Sequence, residues 1–427
     1  MDNPARPLPA TLPEWLAHIE RVHPKSIEMG LGRVAAVRDA LGLAPRFPLF
    51  TVGGTNGKGS ACAMLEAILD HAGYRVGCYT SPHLLRYNER VRIRRAEASD
   101  GDLGRAFHAV EAARGDIALT YFEFGTLAAM WLFEERKIDV AVLEVGLGGR
   151  LDAVNVFDPD CALVMSVALD HMDYLGADRE DIAREKAGIF RRGRPAICGD
   201  AEPPRALVEH ASDIGAPLQL IGRDFGFETE AQQWRYWGLR GERHALPHPV
   251  LRGDYQIPNA ATCLAALDAL HESLPVSAND VRTGLLTAEN PGRFQVLPGR
   301  PMVILDVAHN PAAAAALAHG MARLPRADRT LAVFAMLEDK DIGGVIRAVA
   351  PQIDAWLVSG IEGPRGADAA RMRAELANAG VRESVTACES VASAYHLACK
   401  EATQNDRIIV FGSFHTVAAV MAASSTH

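Results

Sequence analysis

Apolar positions along this chain fall into short runs separated by longer stretches of helical period, and these two periods predict its elements. The runs Phe47–Val52, Arg75–Tyr79, Asp139–Val145 and Cys161–Val167 are rich in β-branched residues and bounded by glycine, proline or polar side chains, which predicts strands. Helical patterns lie between them, at Ala61–Ala72, Glu123–Glu135 and Asp181–Ala187. Near-continuous apolar strands alternating with helices predict a mainly parallel sheet covered on both faces. From Ile221 to Leu251 the pattern turns polar and aromatic, with Trp234, Tyr236 and Trp237 spaced as in a meander on a sheet edge. Helical periodicity resumes at Pro258–Leu270 and Ala278–Leu286.

The window Glu289–Pro301 holds three prolines and two glycines, which suits a linker or hinge better than an element. Beyond it a second alternation begins. Strands are expected at Met302–Val307, Thr330–Phe334, Asp354–Ser359 and Arg407–Phe411, with helices from Pro311 and near Thr416–Ala423. The expected architecture is therefore α/β throughout. A phosphate-loop domain with a mainly parallel sheet spans residues 1–290, a hinge 291–300, and a smaller Rossmann-like α/β domain 301–427.

Composition narrows the class. A chain of 427 residues exceeds one ordinary core, which agrees with two domains. Lys and Arg number 44 against 53 Asp and Glu, a net charge of −9 with no sustained run of like charge, and this argues against nucleic acid as a dedicated partner. The densest basic cluster is Arg90, Arg92, Arg94 and Arg95. Its alternate spacing puts the first three on one face of an extended segment, as a solvated strand edge or an anion site. The segment Met1–Pro13 is proline-rich without the apolar core of a secretory signal, and no apolar run is long enough to span a bilayer. The seven cysteines are scattered and form no C-x-x-C pair, so they read as buried thiols of a reducing compartment. A cytoplasmic protein working as a monomer is expected.

The candidate chemistry begins at Phe50-Thr-Val-Gly-Gly-Thr-Asn-Gly-Lys-Gly-Ser60, where a strand breaks into a glycine-rich turn holding one lysine and a helix follows at once. That order builds a phosphate cradle: glycines let backbone N–H groups close on an anion, and the helix N-terminus adds its positive end. Lys58 would reach the outer phosphates of a nucleotide. The strict G-x-x-x-x-G-K-[ST] pattern is absent, because only Thr55 and Asn56 separate Gly54 from Gly57, and Gly59 follows the lysine.

Ligands of open parallel sheets sit beyond the carboxyl ends of the strands, and several reactive side chains fall at such ends. Glu144 precedes Gly146-Leu-Gly-Gly-Arg-Leu-Asp152; Ser81 and His83 follow the strand ending at Tyr79; Asp170, His171 and Asp173 follow the strand from Cys161. Glu144, His171 and Ser81 around triphosphate oxygens would make a Mg²⁺ shell, since that ion takes hard oxygen ligands, keeps waters and uses substrate phosphates. Singly, such residues also serve as caps, ion-pair partners or satisfied polar groups. Lys186, near a helix C-terminus, has the plain role of complementing the helix dipole. Asp306 stands at the end of the next domain's first strand, where it can accept from a ribose hydroxyl or cap the turn Asp306-Val-Ala-His-Asn-Pro311.

Gly54-Thr-Asn-Gly-Lys-Gly-Ser60, Tyr79-Thr-Ser-Pro-His-Leu84, Leu143–Ala153, Leu169-Asp-His171, Glu185-Lys-Ala-Gly-Ile189 and Asp306-x-Ala-His-Asn-Pro311 occur together and in order. In this the chain resembles the folylpolyglutamate synthase branch of the ATP-dependent Mur ligase superfamily, from about Trp15 to Val420. The resemblance implies that ATP phosphorylates a carboxylate and that L-glutamate attacks the acyl phosphate to form an amide. It implies ATP contacts at Thr55, Asn56, Gly57, Lys58, Gly59, Ser60, Asn259, Arg293 and Asp306. Magnesium ligands are implied at Ser81, Glu144 and His171, with Lys186 carbamylated to support a second ion; Lys58, His171 and Lys186 are the implied catalytic set. His309 and Ser413 match the site of the incoming glutamate.

Some members of the branch only lengthen the glutamate tail of reduced folates, whereas others also make dihydrofolate from dihydropteroate. The second group resembles this chain at His23–Gly30, Thr120–Phe124 and Leu151–Ala153, which implies acceptor contacts at Gly30, Thr120, Phe122, Glu123, Leu151, Asp152 and Ala153. Phe122 either stacks on a pterin or serves as a core aromatic, and Asp152 either bonds pterin amino groups or forms a turn. The expectation is the bifunctional chemistry. Its rivals are folate extension alone, a cell-wall precursor ligase of the same superfamily, and a nucleotide-binding regulator without turnover.

Overall fold

Short β-branched runs become strands, with ends shifted from expectation by up to three residues, in the computed structural model, which describes residues 8–25 and 27–424. Residues 1–7 of the proline-rich start, and Ser26 in the stretch His23–Gly30, lie outside the described residues. The chain forms two compact units. The first takes the chain up to Val167, then Arg179–His248 and Asn259–Thr287. The second takes Ala168–Asp178, Pro249–Pro258 and the chain from Ala288 onward.

In the first unit the strands are β1 (Leu49–Gly53), β2 (Val76–Tyr79), β3 (Val91–Ile93), β4 (Ala96–Glu97), β5 (Val140–Glu144), β6 (Cys161–Val164), β7 (Ala196–Cys198) and β8 (Leu218–Leu220). They form one sheet of order β4-β3-β2-β5-β1-β6-β7-β8, in which β3 alone runs against the others and pairs antiparallel with both β2 and β4. β1 lies between β5 and β6 with every residue buried, which explains its unbroken apolar character. A helix-rich layer supplies much of the core, where Phe107 meets Trp15, Tyr87 and Phe124 at ring separations of 5.5–6.1 Å.

The aromatic meander is a separate three-stranded antiparallel sheet, not an edge of the large one. It comprises β9 (Gly226–Thr229), β10 (Gln233–Gly238) and β11 (Gly241–Pro247). Trp234 and Tyr236 point to its buried face. The Trp237 ring covers Gly226, where a Cβ would come within 2.6 Å of it, so β9 needs glycine at that register position.

The second unit carries β12 (Gln295–Leu297), β13 (Met302–Leu305), β14 (Thr330–Phe334), β15 (Ala355–Val358), β16 (Ser384–Ala387) and β17 (Arg407–Phe411). Their order is β12-β13-β17-β14-β15-β16, parallel except for β12. β12 corrects the expectation of a pure linker at Glu289–Pro301: three residues between glycines pair antiparallel with β13 and cover what would be an open edge. Helices Pro311–Ala322, Ile342–Val349, Ala369–Asn378, Val391–Glu401 and Phe414–Ser424 flank this sheet. Phe334 stacks on Phe411 at 4.7 Å, and Trp356 meets Phe334 edge-on.

The arginine cluster does not present one face. Arg92 pairs with buried Glu66, Arg90 closes a 3₁₀ turn, and Arg94 and Arg95 occupy positive-φ positions in the turn between β3 and β4. Five cysteines are buried free thiols; Cys388 is half-buried and Cys399 is exposed, so the expectation of burial fails there. Among the described residues no helix is long and apolar enough to cross a membrane.

Candidate active site

Burial of β1 fixes where its C-terminal loop emerges. Gly54 adopts φ +133°, and a Cβ there would come within 2.9 Å of Met165 N, so only glycine lets the loop pass β6. Gly57, at φ +89°, precedes the helix Lys58–His71, and a Cβ on it would meet Asn259 Oδ1 at 2.7 Å. Asn259 thus lies against the loop from a helix about two hundred residues later in the chain.

Ser166, which motif reading missed, pins the loop. Its carbonyl accepts from Thr55 N at 2.7 Å, its Oγ accepts from Asn56 N at 3.0 Å, and the same hydroxyl donates to Asn56 O at 3.1 Å. The Lys58 ammonium folds back over the loop and donates to Gly54 O (3.0 Å) and Thr55 O (3.2 Å). Gly59 and Ser60 form the first turn of the helix, with Ser60 buried. The result is a cradle with one cation and a helix N-terminus, which suits phosphate.

Register brings the acid alongside. Val52 of β1 sits opposite Glu144 of β5, and Tyr79 of β2 opposite Leu143. Ser81, just past β2, donates its backbone N–H to Glu144 Oε2 at 3.1 Å. Glu144 is only 3% exposed, and a carboxylate so buried requires compensation on the order of several kcal/mol. Lys186, also 3% exposed, lies in the helix Arg179–Ala187. That helix packs on the glycine run after Glu144: Arg150 N donates to Glu185 O at 2.8 Å, and a Cβ on Gly149 would meet Lys186 O at 3.0 Å.

A serine hydroxyl and a carboxylate are hard oxygen donors suited to Mg²⁺, and the cradle beside them suits the phosphate whose oxygens that ion also takes. Among the described residues no group of three or more His, Cys, Asp or Glu forms a metal cage. This donor set therefore fits an ion that brings waters and substrate phosphate oxygens with it.

His171 belongs to the second compact unit, in the segment Ala168–Asp178. Its Nε2 accepts from the Lys340 ammonium at 3.1 Å. Lys340 also donates to Asp170 Oδ1 (2.7 Å), while Asp170 Oδ2 accepts from Asn310 Nδ2 (3.2 Å) and lies 3.5 Å from His309 Nε2. Burial works against the Asp170 charge, but His309 and Lys340 hold its carboxyl well below the usual range. Lys340 has no motif signal beyond its type, and Asn310 lies within the Asp306–Pro311 motif without a role of its own there; only the fold gathers them.

In the same unit Asp306 ends β13 and is 6% exposed. Its carboxylate accepts from Phe294 N and Ala308 N, each at 2.8 Å. Burial pushes its carboxyl up, opposed by Arg293 and by those two bonds. The Arg293 guanidinium lies over the Phe414 ring at 4.9 Å, and the His309 ring is 6.3 Å from the same phenyl. Ser413, buried beside Phe414, accepts from Thr416 N at 3.0 Å. Arg293, His309 and Ser413 are thereby gathered around one aromatic ring.

The residues expected at the acceptor form another group in the first unit. Gly30 N donates to Leu151 O at 3.3 Å, which joins the early motif to the Leu151–Ala153 turn. Thr120 and Glu123 close a capping box on the helix Tyr121–Glu135, and Arg33 forks onto Glu123 at 2.9 and 3.3 Å. Both side chains are therefore committed to the fold. Phe122 lies 5.8 Å from Tyr79 and against Gly146, where a Cβ would approach its ring to 2.8 Å. Asp152 makes the turn: it accepts from Leu147 N and Val154 N, each at 2.9 Å, and caps the 3₁₀ turn Ala153–Val156. Burial pushes its carboxyl up to about 7 despite bonds from Leu147, Val154 and Gly146.

Comparison with known proteins gives the family of the chain. The Mur ligase middle domain matches residues 52–267, and the Mur ligase glutamate ligase domain matches residues 292–414. A dihydrofolate synthase/folylpolyglutamate synthase of Escherichia coli K12 is 48% identical over 96% of this chain and 94% of its own length. The structure of E. coli FolC in complex with DHPP and ADP superposes with a TM-score of 0.93, at 47% identity over 98% of each chain. A bifunctional folylpolyglutamate synthase/dihydrofolate synthase with Mn, AMPPNP and L-glutamate bound gives 0.90, at 45% identity over 97% of this chain and 98% of that one. Two matching domains in order and near-complete coverage at this identity settle the family: the chain belongs to the Mur ligases, in the dihydrofolate synthase/folylpolyglutamate synthase branch.

Proposed function

We propose that this chain uses ATP to join L-glutamate to dihydropteroate, giving dihydrofolate, and to reduced folates, extending their glutamate tails. The observation that carries this is the register of β1 against β5, which sets the phosphate loop beside Glu144 and Ser81. The acceptor carboxylate attacks the γ-phosphorus and ADP leaves. The amine of glutamate then attacks the acyl carbon, the C–O bond to phosphate breaks, and one proton is released.

Lys58 offsets charge developing on the β- and γ-phosphates, and the loop amides and helix N-terminus orient them. Thr55–Ser60, Asn259, Arg293 and Asp306 hold the nucleotide. Ser81, Glu144 and His171 would hold magnesium, which when bound supplies Lewis-acid stabilisation of phosphoryl oxygens. Lys186, being buried, is suited to carbamylation, because an uncharged amine can take up CO₂ and the resulting anion supports a second magnesium. His309 and Ser413 receive glutamate. Phe122 and Asp152, with Gly30, Thr120, Glu123, Leu151 and Ala153 forming the wall, receive the pterin.

The working division is a phosphate-loop domain over 1–290 and a glutamate-ligase domain over 301–427, with residues 291–300, which carry β12 of the second sheet, joining them. The net charge of −9 and the reduced thiols support a cytoplasmic monomer without a nucleic-acid partner. Sedimentation at working concentration giving a dimer would contradict the monomer.

ADP release by the intact protein is expected only when glutamate and either acceptor are both present. Lys58→Ala should keep the fold by circular dichroism yet lower that rate by orders of magnitude; near-normal turnover would remove the proposal. Lys186→Ala should lose activity that added short carboxylates partly restore. Intact-mass analysis of the active protein should show one added CO₂, and a plain lysine there would end the carbamate assignment. Asp152 accepts more strongly from pterin amino groups as an anion than as a neutral acid, so dihydropteroate binding should tighten as pH rises through about 7. Asp152→Asn should flatten that profile, and an unchanged pH dependence would place the titrating group elsewhere.

A further inference from the structure

Ser81 lies on the loop Thr80–Arg90 between β2 and β3. The loop closes on itself, since Thr80 N donates to Arg90 O at 2.9 Å. Its middle is gathered by Glu89, whose carboxylate accepts from Leu84 N, Leu85 N and Arg86 N, each at 2.7 Å. Arg92 ties this closed loop to the rest of the site. Its Nε donates to Glu66 Oε1 and Oε2 at 3.2 and 3.0 Å. Its Nη2 donates to Glu66 Oε2 at 2.8 Å and to Cys78 Sγ at 3.3 Å. Its Nη1 donates to Thr80 Oγ1 at 3.2 Å and to Glu89 O at 2.9 Å. Every N–H of the guanidinium thus has an acceptor.

The other end of the link is the phosphate-loop helix. Glu66 is 4% exposed and sits on the helix that begins at Lys58, about two turns along it. A carboxylate on that helix therefore holds, through one planar fork, the residue before Ser81 and the residue that gathers the loop. We infer that the Glu66–Arg92 pair is a positioning device for the metal site, holding Ser81 in register with the helix that carries Lys58. Lysine cannot replace the fork, because an ammonium is a point charge that cannot span Glu66, Thr80 and Glu89 together. An ion pair serving the fold alone would leave metal affinity untouched once the protein is folded.

This rests on the metal role proposed for Ser81, so the test separates the two. Mn²⁺ binding to the full chain with ADP is followed by the resonance signal of free Mn²⁺, alongside ADP binding without metal. Ser81→Ala should weaken Mn²⁺ binding; no change there would reject the metal role itself. Arg92→Lys keeps a charge near Glu66 but loses the fork, and Mn²⁺ affinity should fall about 10- to 100-fold while metal-free ADP binding stays the same. Thr80→Val leaves the Glu66–Arg92 pair in place and should lower Mn²⁺ affinity about threefold; it decides the matter if Arg92→Lys fails to fold. The positioning role is overturned if Ser81→Ala weakens Mn²⁺ binding and the folded Arg92 and Thr80 variants do not. An equal loss of metal-free ADP binding in Arg92→Lys would also overturn it.

Discussion

The placement of β1 between β5 and β6 is the constraint on which the first unit's chemistry depends. Five residues buried on both sides leave the strand no freedom to slip, because a shift of one residue would exchange the faces of every side chain. That register puts Glu144 beside Val52 and Ser166 beside the emerging loop. Gly54 and Gly57 then carry the backbone through positions that a Cβ would close. The cradle, the acid and the serine follow from ordinary strand pairing.

Buried charge is managed in two ways, and both occur in each unit, Asp306 of the second being held by backbone N–H groups as Asp152 is in the first. In the first unit, Glu66 and Glu123 are each met by an arginine fork, and Asp152 is met by backbone N–H groups, which leaves its carboxyl raised to about 7. In the second, Asp170 collects Lys340, Asn310 and the neighbourhood of His309 and stays ionised. The difference is physical: a buried carboxylate beside a full cation keeps its charge, and one held only by dipoles trades it for a proton as pH falls. Breaking such a buried pair by removing one partner costs about 3–5 kcal/mol, so these carboxylates also hold the fold.

Strands with continuous apolar runs were legible because burial on both faces leaves no polar position to blur them. β1, β14 and β17 were found within two residues at either end. The phosphate loop was legible because glycine spacing, a lysine and a helix start are a local pattern. β12 was not, since three strand residues among prolines and glycines carry no period, and its pairing partner defines it. Ser166, Lys340 and Arg92 were missed as site residues for a related reason: each acts through contacts to residues distant in sequence. Thr120, Glu123 and Asp152 were picked out by family motif, yet their side chains turn out to be occupied with caps and turns. Motif membership located them without stating what their atoms do.

The account stands on transfer of phosphate to the acceptor carboxylate, so the fate of one oxygen atom tests it most directly. Dihydropteroate with labelled carboxylate oxygen is turned over with ATP and glutamate, and the released phosphate is weighed. Attack by the carboxylate on the γ-phosphorus, followed by cleavage of the acyl C–O bond, leaves one labelled oxygen in each phosphate. Unlabelled phosphate, with dihydrofolate formed in equal amount, would contradict the acyl-phosphate route.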